Sequence, residues 1–187
     1  MDDSEQQGTT RTGDDWTVLE SVTEYETGWY EGGYDLVEQP NGTTKRYYWA
    51  ELPPAVVIVA VTNDQLVCVE QYRPTIHESQ LELPAGIVED GESYTTAGAR
   101  ELREETGFEP SGTSLLQTYQ VATGVLRHER GIVFAEGLTP VEQELDDNEF
   151  LEVRTVPVDE AVERVRDNPT NDATINGVLL AKEDGLL

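Results

Sequence analysis

The alternation of hydrophobic and polar positions predicts strands along much of the chain. Residues 55–61 and 65–72 are two apolar runs, and Asn63-Asp64 between them suits a two-residue hairpin turn. Further strands are predicted by β-branched and aromatic residues at 16–50, 114–121, 131–135 and 151–156. These patterns do not alternate regularly with helices, so they predict a mixed sheet with a few helices.

Helical spacing occurs in three segments of the second half. Residues 95–106 form the first segment, which ends at Gly107, a residue type typical of a helix C-terminus. Residues 158–167 form the second. The third begins at about Asp172, with Asn171 or Asp172 as its cap. The predicted fold class is α/β in the broad sense, an α+β arrangement around a mixed sheet.

Acidic residues dominate the charge of the chain. The 187 residues include 38 Asp and Glu but only 12 Lys and Arg, which gives a formal net charge of -26. The acids are spread along the sequence, so they predict an acidic surface that is screened within about 3 Å at molar salt. This composition resembles proteins of extreme halophiles, and an ordinary acidic protein is the alternative. Nucleic acid and anionic membranes are unsuitable partners for such a surface.

Three features of the sequence bear on where the protein resides. Residues 1–15 are polar and acidic and are expected to form a disordered tail. The longest apolar run, 55–61, is too short to cross a bilayer, and no charged-then-apolar leader opens the chain. The single cysteine, Cys68, lies within an apolar run. A cytoplasmic location is therefore expected.

Three carboxylates on the first predicted helix differ from the general acidic surface. Glu101, Glu104 and Glu105 fall within roughly one-third of the helix circumference. Their i,i+3 and i,i+4 spacings are repulsive, and the C-terminal end of a helix disfavours anions. A solvated acidic face is the alternative, but it gives no reason to place acids where both effects are unfavourable. A hard divalent cation reverses both effects, which favours a metal site.

The spacing around these acids resembles the Nudix box. The matching residues are Gly86, Glu92, Arg100-Glu101-Leu102, Glu104-Glu105 and Gly107-Phe108. The resemblance implies the Nudix fold, an α/β/α sandwich in which the box forms a loop, a helix and a second loop. It also implies hydrolysis of a nucleoside diphosphate linked to another moiety. Residues 51–187 would form the catalytic domain, and 16–50 an N-terminal β-module.

The resemblance assigns roles to the box residues. Glu101, Glu104, Glu105 and the carbonyl of Ala85 would bind two or three divalent ions, Mg²⁺ or Mn²⁺. Glu104 would also take part in catalysis, and Glu92 and Arg100 would orient the ligating carboxylates.

Residues 69–73 and 82–86 are similar to the ADP-ribose pyrophosphatase branch of the family. In that branch, Arg73 and Glu82 would contact the substrate, and the N-terminal module would form a homodimer. The catalytic base would lie in a loop downstream of the box, here Glu149 or, as second choice, Asp147. An acidic surface loop is the alternative interpretation of these two residues.

Gly124 and Glu129 would complete the substrate site. They match a pattern of that branch, except that Ala122-Thr123-Gly124 stands where a Ser-Pro-Gly turn is usual. ADP-ribose is therefore the leading substrate, and another nucleoside diphosphate sugar or a dinucleoside polyphosphate is the alternative. A non-catalytic nucleotide-sensing module is a third hypothesis.

Overall fold

The computed structural model describes residues 10–11, 15–146, 148–167 and 169–187. These residues fall into two compact units. One unit is the chain up to Pro53 together with Gln120–His128, and the other comprises Pro54–Tyr119 and Glu129–Leu187. The predicted tail lies largely outside the described residues, although Thr10–Arg11 forms a short strand within it. The division into a tail, a β-module and a catalytic domain stays a prediction.

Fourteen strands and three helices form the described part of the chain. The strands are β1 (Thr10–Arg11), β2 (Thr17–Glu26), β3 (Glu31–Glu38), β4 (Thr44–Glu51), β5 (Ala55–Thr62), β6 (Gln65–Arg73), β7 (Glu78–Glu82), β8 (Ala85–Ile87), β9 (Phe108–Glu109), β10 (Gly112–Gln120), β11 (Leu126–Arg127), β12 (Glu129–Glu136), β13 (Thr139–Pro140) and β14 (Leu151–Pro157). The helices are α1 (Tyr94–Thr106), α2 (Ala161–Arg164) and α3 (Asp172–Glu183). None of the helices in the described part is long and apolar enough to cross a membrane.

The N-terminal unit is one sheet in the order β1-β2-β3-β4-β11. The first four strands form an antiparallel meander, and β11 adds to β4 in parallel. Three residues hold the added segment to the rest of this unit. Trp49 Nε1 and the guanidinium of Arg127 both donate to the carboxylate of Asp35, and the guanidinium lies 4.0 Å from the centre of the Trp49 ring.

The larger unit is built on a seven-stranded sheet. Its main order is β10-β12-β5-β6-β14, with β7 paired to β6 and β8 to β5. The sheet is mixed, because β12 runs parallel to β5 whereas β6, β7, β8 and β14 form antiparallel pairs. The predicted mixed sheet is confirmed.

The two faces of β5 bury different helices. Val57 and Val59 pack in one core cluster with residues of α3, while Val56 and Ile58 pack in another with residues of α1. This alternation is the two-residue period of a strand that is buried on both faces. The sheet is thus sandwiched between α1 and α3, which confirms the predicted α/β/α arrangement.

Most predicted elements occur near their expected positions. Asn63 and Asp64 both have positive φ, 49° and 59°, as a two-residue hairpin turn of type I′ requires. The helix α3 begins at Asp172, and the Asn171 side chain accepts from the Thr174 N–H at 2.8 Å. The helix predicted at 158–167 is shorter than expected and spans Ala161–Arg164, because residues 158–160 and 165–166 form turns instead.

Candidate active site

The box helix α1 is fixed at both ends by its own sequence. Ser93 caps the start, since its Oγ accepts from the Thr96 N–H at 3.2 Å. Gly107 ends the helix in the left-handed conformation, with φ of 69°, and its N–H donates to the Arg103 carbonyl at 2.9 Å. The Gly107 stop was predicted, whereas the Ser93 cap was not, although a serine before a helical pattern is a recognised signal.

Two carboxylates of α1 are buried. Glu101 is 8% exposed and Glu105 is 4% exposed, whereas Glu104 is half-buried. Glu105 Oε2 accepts from the Ala85 N–H at 3.0 Å. Gly86 lies against the other carboxylate so closely that a Cβ there would be 2.0 Å from Glu101 Cδ. A side chain at this position of β8 would therefore displace the Glu101 carboxylate.

Burial raises the pKa of both carboxylates. The pKa of Glu105 rises to about 8, mainly because of burial, with further increases from the charges of Glu101 and Glu149. The pKa of Glu101 is also raised, again mainly by burial, although Arg100 opposes the shift. The protein thus buries more negative charge here than its own cations balance.

Arg100 connects the box carboxylates to one another. Its NH1 group donates to Glu101 at 2.8 Å and to Glu104 at 3.2 Å. Its Nε and NH2 groups donate to the two oxygens of Glu92 at 3.1 and 2.9 Å, and NH2 also donates to the Ile87 carbonyl. The hydrogen bonds from Arg100 hold the pKa of Glu92 below its usual range. Arg100 thus contacts Glu92 and two of the three predicted metal ligands, and the orienting role of Arg100 and Glu92 stays a prediction.

Arg73 and Glu82 form a two-point ion pair on adjacent strands. Arg73 Nε donates to Glu82 Oε1 at 2.9 Å, and NH2 donates to Oε2. The Glu82 side chain is 3% exposed and the Arg73 side chain is 42% exposed. The charge of Arg73 also lowers the pKa of Glu105, which opposes the effect of burial. Both residues were predicted to contact substrate; in the structure they bond to each other.

The predicted base Glu149 interacts electrostatically with the buried carboxylates. Its charge acts to raise the pKa of both Glu101 and Glu105. Its Oε2 accepts from the Asp146 N–H at 3.1 Å, which closes a short turn of the loop. The second choice, Asp147, lies outside the described residues.

The remaining predicted substrate residues lie in different units. Glu129 begins β12 in the larger unit and accepts a hydrogen bond from the Tyr94 hydroxyl at 2.7 Å. Gly124 belongs to the segment that clusters with the N-terminal sheet, so the structure does not group it with the box residues. Tyr94 was not singled out by the sequence, because a tyrosine at the start of a helix carries no specific signal.

The carboxylate oxygens of the box suit a hard divalent cation, although their side chains do not converge on one point. In the described ranges, no three or more His, Cys, Asp or Glu side chains are grouped to hold a metal ion. Arg100 and the Ala85 N–H engage the carboxylates instead. The buried pair Glu101 and Glu105 nevertheless consists of oxygen donors in need of positive charge, which is the chemistry that Mg²⁺ requires.

The class of the protein follows from the box residues, which form a loop and the helix α1, and from the mixed sheet that lies between α1 and α3. A sequence model of the NUDIX domain matches residues 51–177. The chain therefore belongs to the NUDIX family of hydrolases, and the predicted family and fold are confirmed.

The chain is also similar to individual known proteins. The chain is 34% identical over 142 residues to the methanol dehydrogenase activator of Bacillus methanolicus, covering 74% of this chain and 77% of that protein. It is 32% identical over 140 residues to the ADP-ribose pyrophosphatase of Bacillus subtilis, covering 73% and 76%. The crystal structure of an ADP compounds hydrolase superposes with a TM-score of 0.84 at 25% identity, covering 95% of this chain and 98% of that one.

Proposed function

We propose that the protein hydrolyses the diphosphate bond of a nucleoside diphosphate linked to another moiety, with ADP-ribose as the leading substrate and AMP and ribose 5-phosphate as products. The buried pair Glu101 and Glu105 carries this proposal. Two carboxylates with raised pKa values are costly unless a cation joins them. Relatives named ADP-ribose pyrophosphatase and ADP compounds hydrolase support the choice of substrate.

The residues of the larger unit suit metal-assisted substitution at phosphorus. Glu101, Glu104, Glu105 and the Ala85 carbonyl would hold two or three ions, Mg²⁺ or Mn²⁺. Bound ions of this kind neutralise a diphosphate and lower the pKa of an attacking water. Arg100 and Glu92 keep the ligating carboxylates in register through their hydrogen bonds.

Glu149 and Arg73 supply the remaining groups. Glu149 takes the proton from the attacking water, since its carboxylate lies near both buried glutamates. Arg73 has five N–H donors, of which Glu82 engages two, so the others remain for phosphate or ribose oxygens. Glu82 keeps the guanidinium plane in one orientation while Arg73 binds substrate.

A substrate panel tests the proposal. Purified protein is incubated in molar KCl with Mg²⁺ and either ADP-ribose, other nucleoside diphosphate sugars or dinucleoside polyphosphates, and products are identified by mass spectrometry in ¹⁸O-labelled water. AMP and ribose 5-phosphate are expected from ADP-ribose. Preference for another compound would favour the alternative substrates, which the Ala122-Thr123-Gly124 turn keeps open. Binding without turnover would instead support a nucleotide-sensing module.

Two matched variants test the metal ligands. Glu105→Gln should lower kcat by several orders of magnitude, because it removes a buried oxygen ligand. Glu109→Gln removes an exposed carboxylate just past the helix and should change kcat less than twofold. Glu105→Gln with normal turnover would rule out the assigned site.

We also propose a cytoplasmic homodimer that works in molar salt. The net charge of -26 supports a salt requirement. Exposed aromatic residues of the N-terminal unit support an interface there; Trp29 is 66% exposed and Tyr48 is 57% exposed. Light scattering in molar KCl should give twice the chain mass, and unfolding should occur at lower temperature as KCl is removed. A monomer in molar KCl would contradict the dimer, and unchanged stability would contradict the salt requirement.

A further inference from the structure

A cavity of about 420 Å³ lies on the larger sheet, where β6 ends and β14 begins. Its volume is within the range of cavities that bind small molecules. Residues that line it include Glu70, Tyr72, Phe150, Glu152 and Arg154. None of these residues belongs to the box or to the predicted substrate site, so the cavity has no part in the proposed reaction.

The cavity lies on the face of the sheet opposite to the box helix. In β6, Cys68 packs in the core cluster with residues of α3, whereas Val67 packs in the cluster with residues of α1. Because successive side chains of a strand point to opposite faces, Tyr72 lies on the α3 face. In β14 the same period, counted from Val156 in the α3 cluster, places Arg154 on that face as well. The sheet therefore separates the cavity from the box.

Two aromatic side chains of the cavity are exposed to solvent. Phe150 is 82% exposed and Tyr72 is 55% exposed, although both line the same cavity. Phe150 immediately precedes β14, whose first residue Leu151 pairs with Gln71, the chain neighbour of Tyr72. Aromatic rings gain free energy when a ligand covers them, and nucleobases stack on such rings. The two rings therefore provide flat surface for a planar ligand.

Arg154 forms a polar edge beside the two rings. Its Nε donates to Glu70 Oε2 at 2.8 Å, and its NH2 group donates to Glu152 Oε2. A guanidinium has five N–H donors, and these bonds use two of them, so donors remain for a ligand. The Oε1 atoms of the two carboxylates accept no hydrogen bond from the described residues. Donors and acceptors are thus available side by side.

The charges at the cavity are unfavourable for an anion. The polar edge has one more carboxylate than guanidinium, and the whole chain carries a formal charge of -26. A phosphate group is repelled by such a field, whereas a neutral planar group is not. A nucleobase is planar and carries acceptors, which arginine recognises, and amino groups, which carboxylates recognise. Its chemistry therefore matches both the rings and the polar edge.

We propose that this cavity is a second binding site, which takes the base of a neutral nucleoside. The base stacks on Tyr72 and Phe150, and its polar edge faces Arg154 and the two carboxylates. The site is distinct from the box and does not depend on the proposed hydrolysis. Absence of ADP-ribose turnover would therefore leave the test of this site unaffected.

Calorimetric titration with adenosine in molar KCl and EDTA tests the site without metal or turnover. Wild type should bind adenosine, and Phe150→Ala and Tyr72→Ala should each bind it about tenfold more weakly, because the base loses one stacking ring. Phe150→Tyr keeps a ring and should bind within about threefold of wild type. Phe150→Leu keeps only apolar bulk and should be as weak as Phe150→Ala. Arg154→Met should weaken binding about threefold or more, because it removes the donors of the polar edge.

Two further variants and two further ligands locate the binding. Leu115→Ala is the matched control, since Leu115 is a 46% exposed apolar side chain of β10 outside the cavity, and it should leave the Kd within twofold. Glu105→Gln alters the box and should also leave the Kd for adenosine within twofold. AMP should bind no more tightly than adenosine, and ribose 5-phosphate should not compete, because the site recognises the base and disfavours phosphate.

Several results would overturn the proposal. They are the absence of adenosine binding by wild type at millimolar concentration, equal affinities of wild type and Phe150→Ala, and wild-type affinity in Phe150→Leu, which would indicate apolar contact without stacking. Loss of adenosine binding in Glu105→Gln, or clearly tighter binding of AMP, would place the nucleoside at the box instead. Melting temperatures are measured on the same samples. Because both rings are largely exposed, they should match wild type, and recovery of affinity in Phe150→Tyr separates stacking from misfolding.

Discussion

Removing Arg73 should destabilise the protein far more than removing an ordinary surface arginine. Glu82 is 3% exposed, and besides the arginine it engages Gln71, whose Nε2 donates to Glu82 Oε2 at 3.4 Å. Arg73→Met keeps most of the aliphatic stem but leaves this carboxylate buried without a cation. Breaking a buried ion pair in this way costs about 3–5 kcal/mol. Because the Arg73 side chain is 42% exposed, we expect the lower end of this range, about 3 kcal/mol.

Urea unfolding in molar KCl, followed by tryptophan fluorescence, measures this cost. Arg154→Met is the matched control. Arg154 pairs with Glu70, which lies on the same strand as Arg73, but the side chains of Arg154 and Glu70 are both 45% exposed. The control should lose less than about 1 kcal/mol. The double variant Arg73→Met/Glu82→Gln leaves no unpaired buried charge at this pair, so most of the lost stability should return.

Two results would refute the reasoning. Equal losses in Arg73→Met and Arg154→Met would mean that the burial of Glu82 does not matter to the pair. A double variant as unstable as Arg73→Met would mean that the loss comes from the arginine stem and not from the unpaired carboxylate. Unfolding slopes that differ between variants would point to a change in the unfolded state, and a thermal series would then replace the urea series.

Three further predictions concern the box. Burial raises the pKa of Glu105 to about 8, so the folded chain binds a proton at this group more tightly than the unfolded chain does. In EDTA, the contribution of Glu105 to the free energy of unfolding should therefore fall as pH rises from about 4.5 to 8, by up to about 1.4 kcal/mol per pH unit. Glu105→Gln should flatten this dependence of stability on pH, and an unchanged dependence would exclude Glu105 as its source. Saturating Mg²⁺ should raise the melting temperature of wild type but not of Glu105→Gln, and equal shifts would place the ion elsewhere. Gly86→Ala should lower kcat at least a hundredfold, because its Cβ would displace the Glu101 carboxylate; normal kcat would show that β8 can relax without moving that carboxylate.

The helix of the box and its carboxylate face could be predicted because they depend on residue spacing within a short stretch of sequence. Spacing along one helix places Glu101, Glu104 and Glu105 on one face, and a glycine after the last turn ends that helix. The turn at Asn63-Asp64 was equally predictable, since both residue types tolerate positive φ. Each of these features depends on neighbours within a few positions of the chain.

The contacts of the site depend on residues that are distant in sequence. The pairing of Arg73 with Glu82 requires β6 and β7 to lie side by side, and β7 is too short for its alternation to be recognised. The bond between Tyr94 and Glu129 likewise joins α1 to β12, and the two residues are 35 positions apart in the chain. Sequence can nominate such residues, but it cannot state which of them meet.

The parallel addition of β11 to β4 makes the N-terminal sheet discontinuous along the chain. Backbone hydrogen bonds join the segment that contains β4 to the segment that contains β11. The Ala50 N–H donates to the Val125 carbonyl at 2.9 Å, and the Leu52 N–H donates to the Arg127 carbonyl at 3.1 Å. During synthesis this sheet cannot be completed until the box helix has already emerged from the ribosome. A truncation at Pro53 would strip the later segment of its strand partner. The N-terminal sheet is therefore not a cassette that could be deleted or exchanged by a single cut.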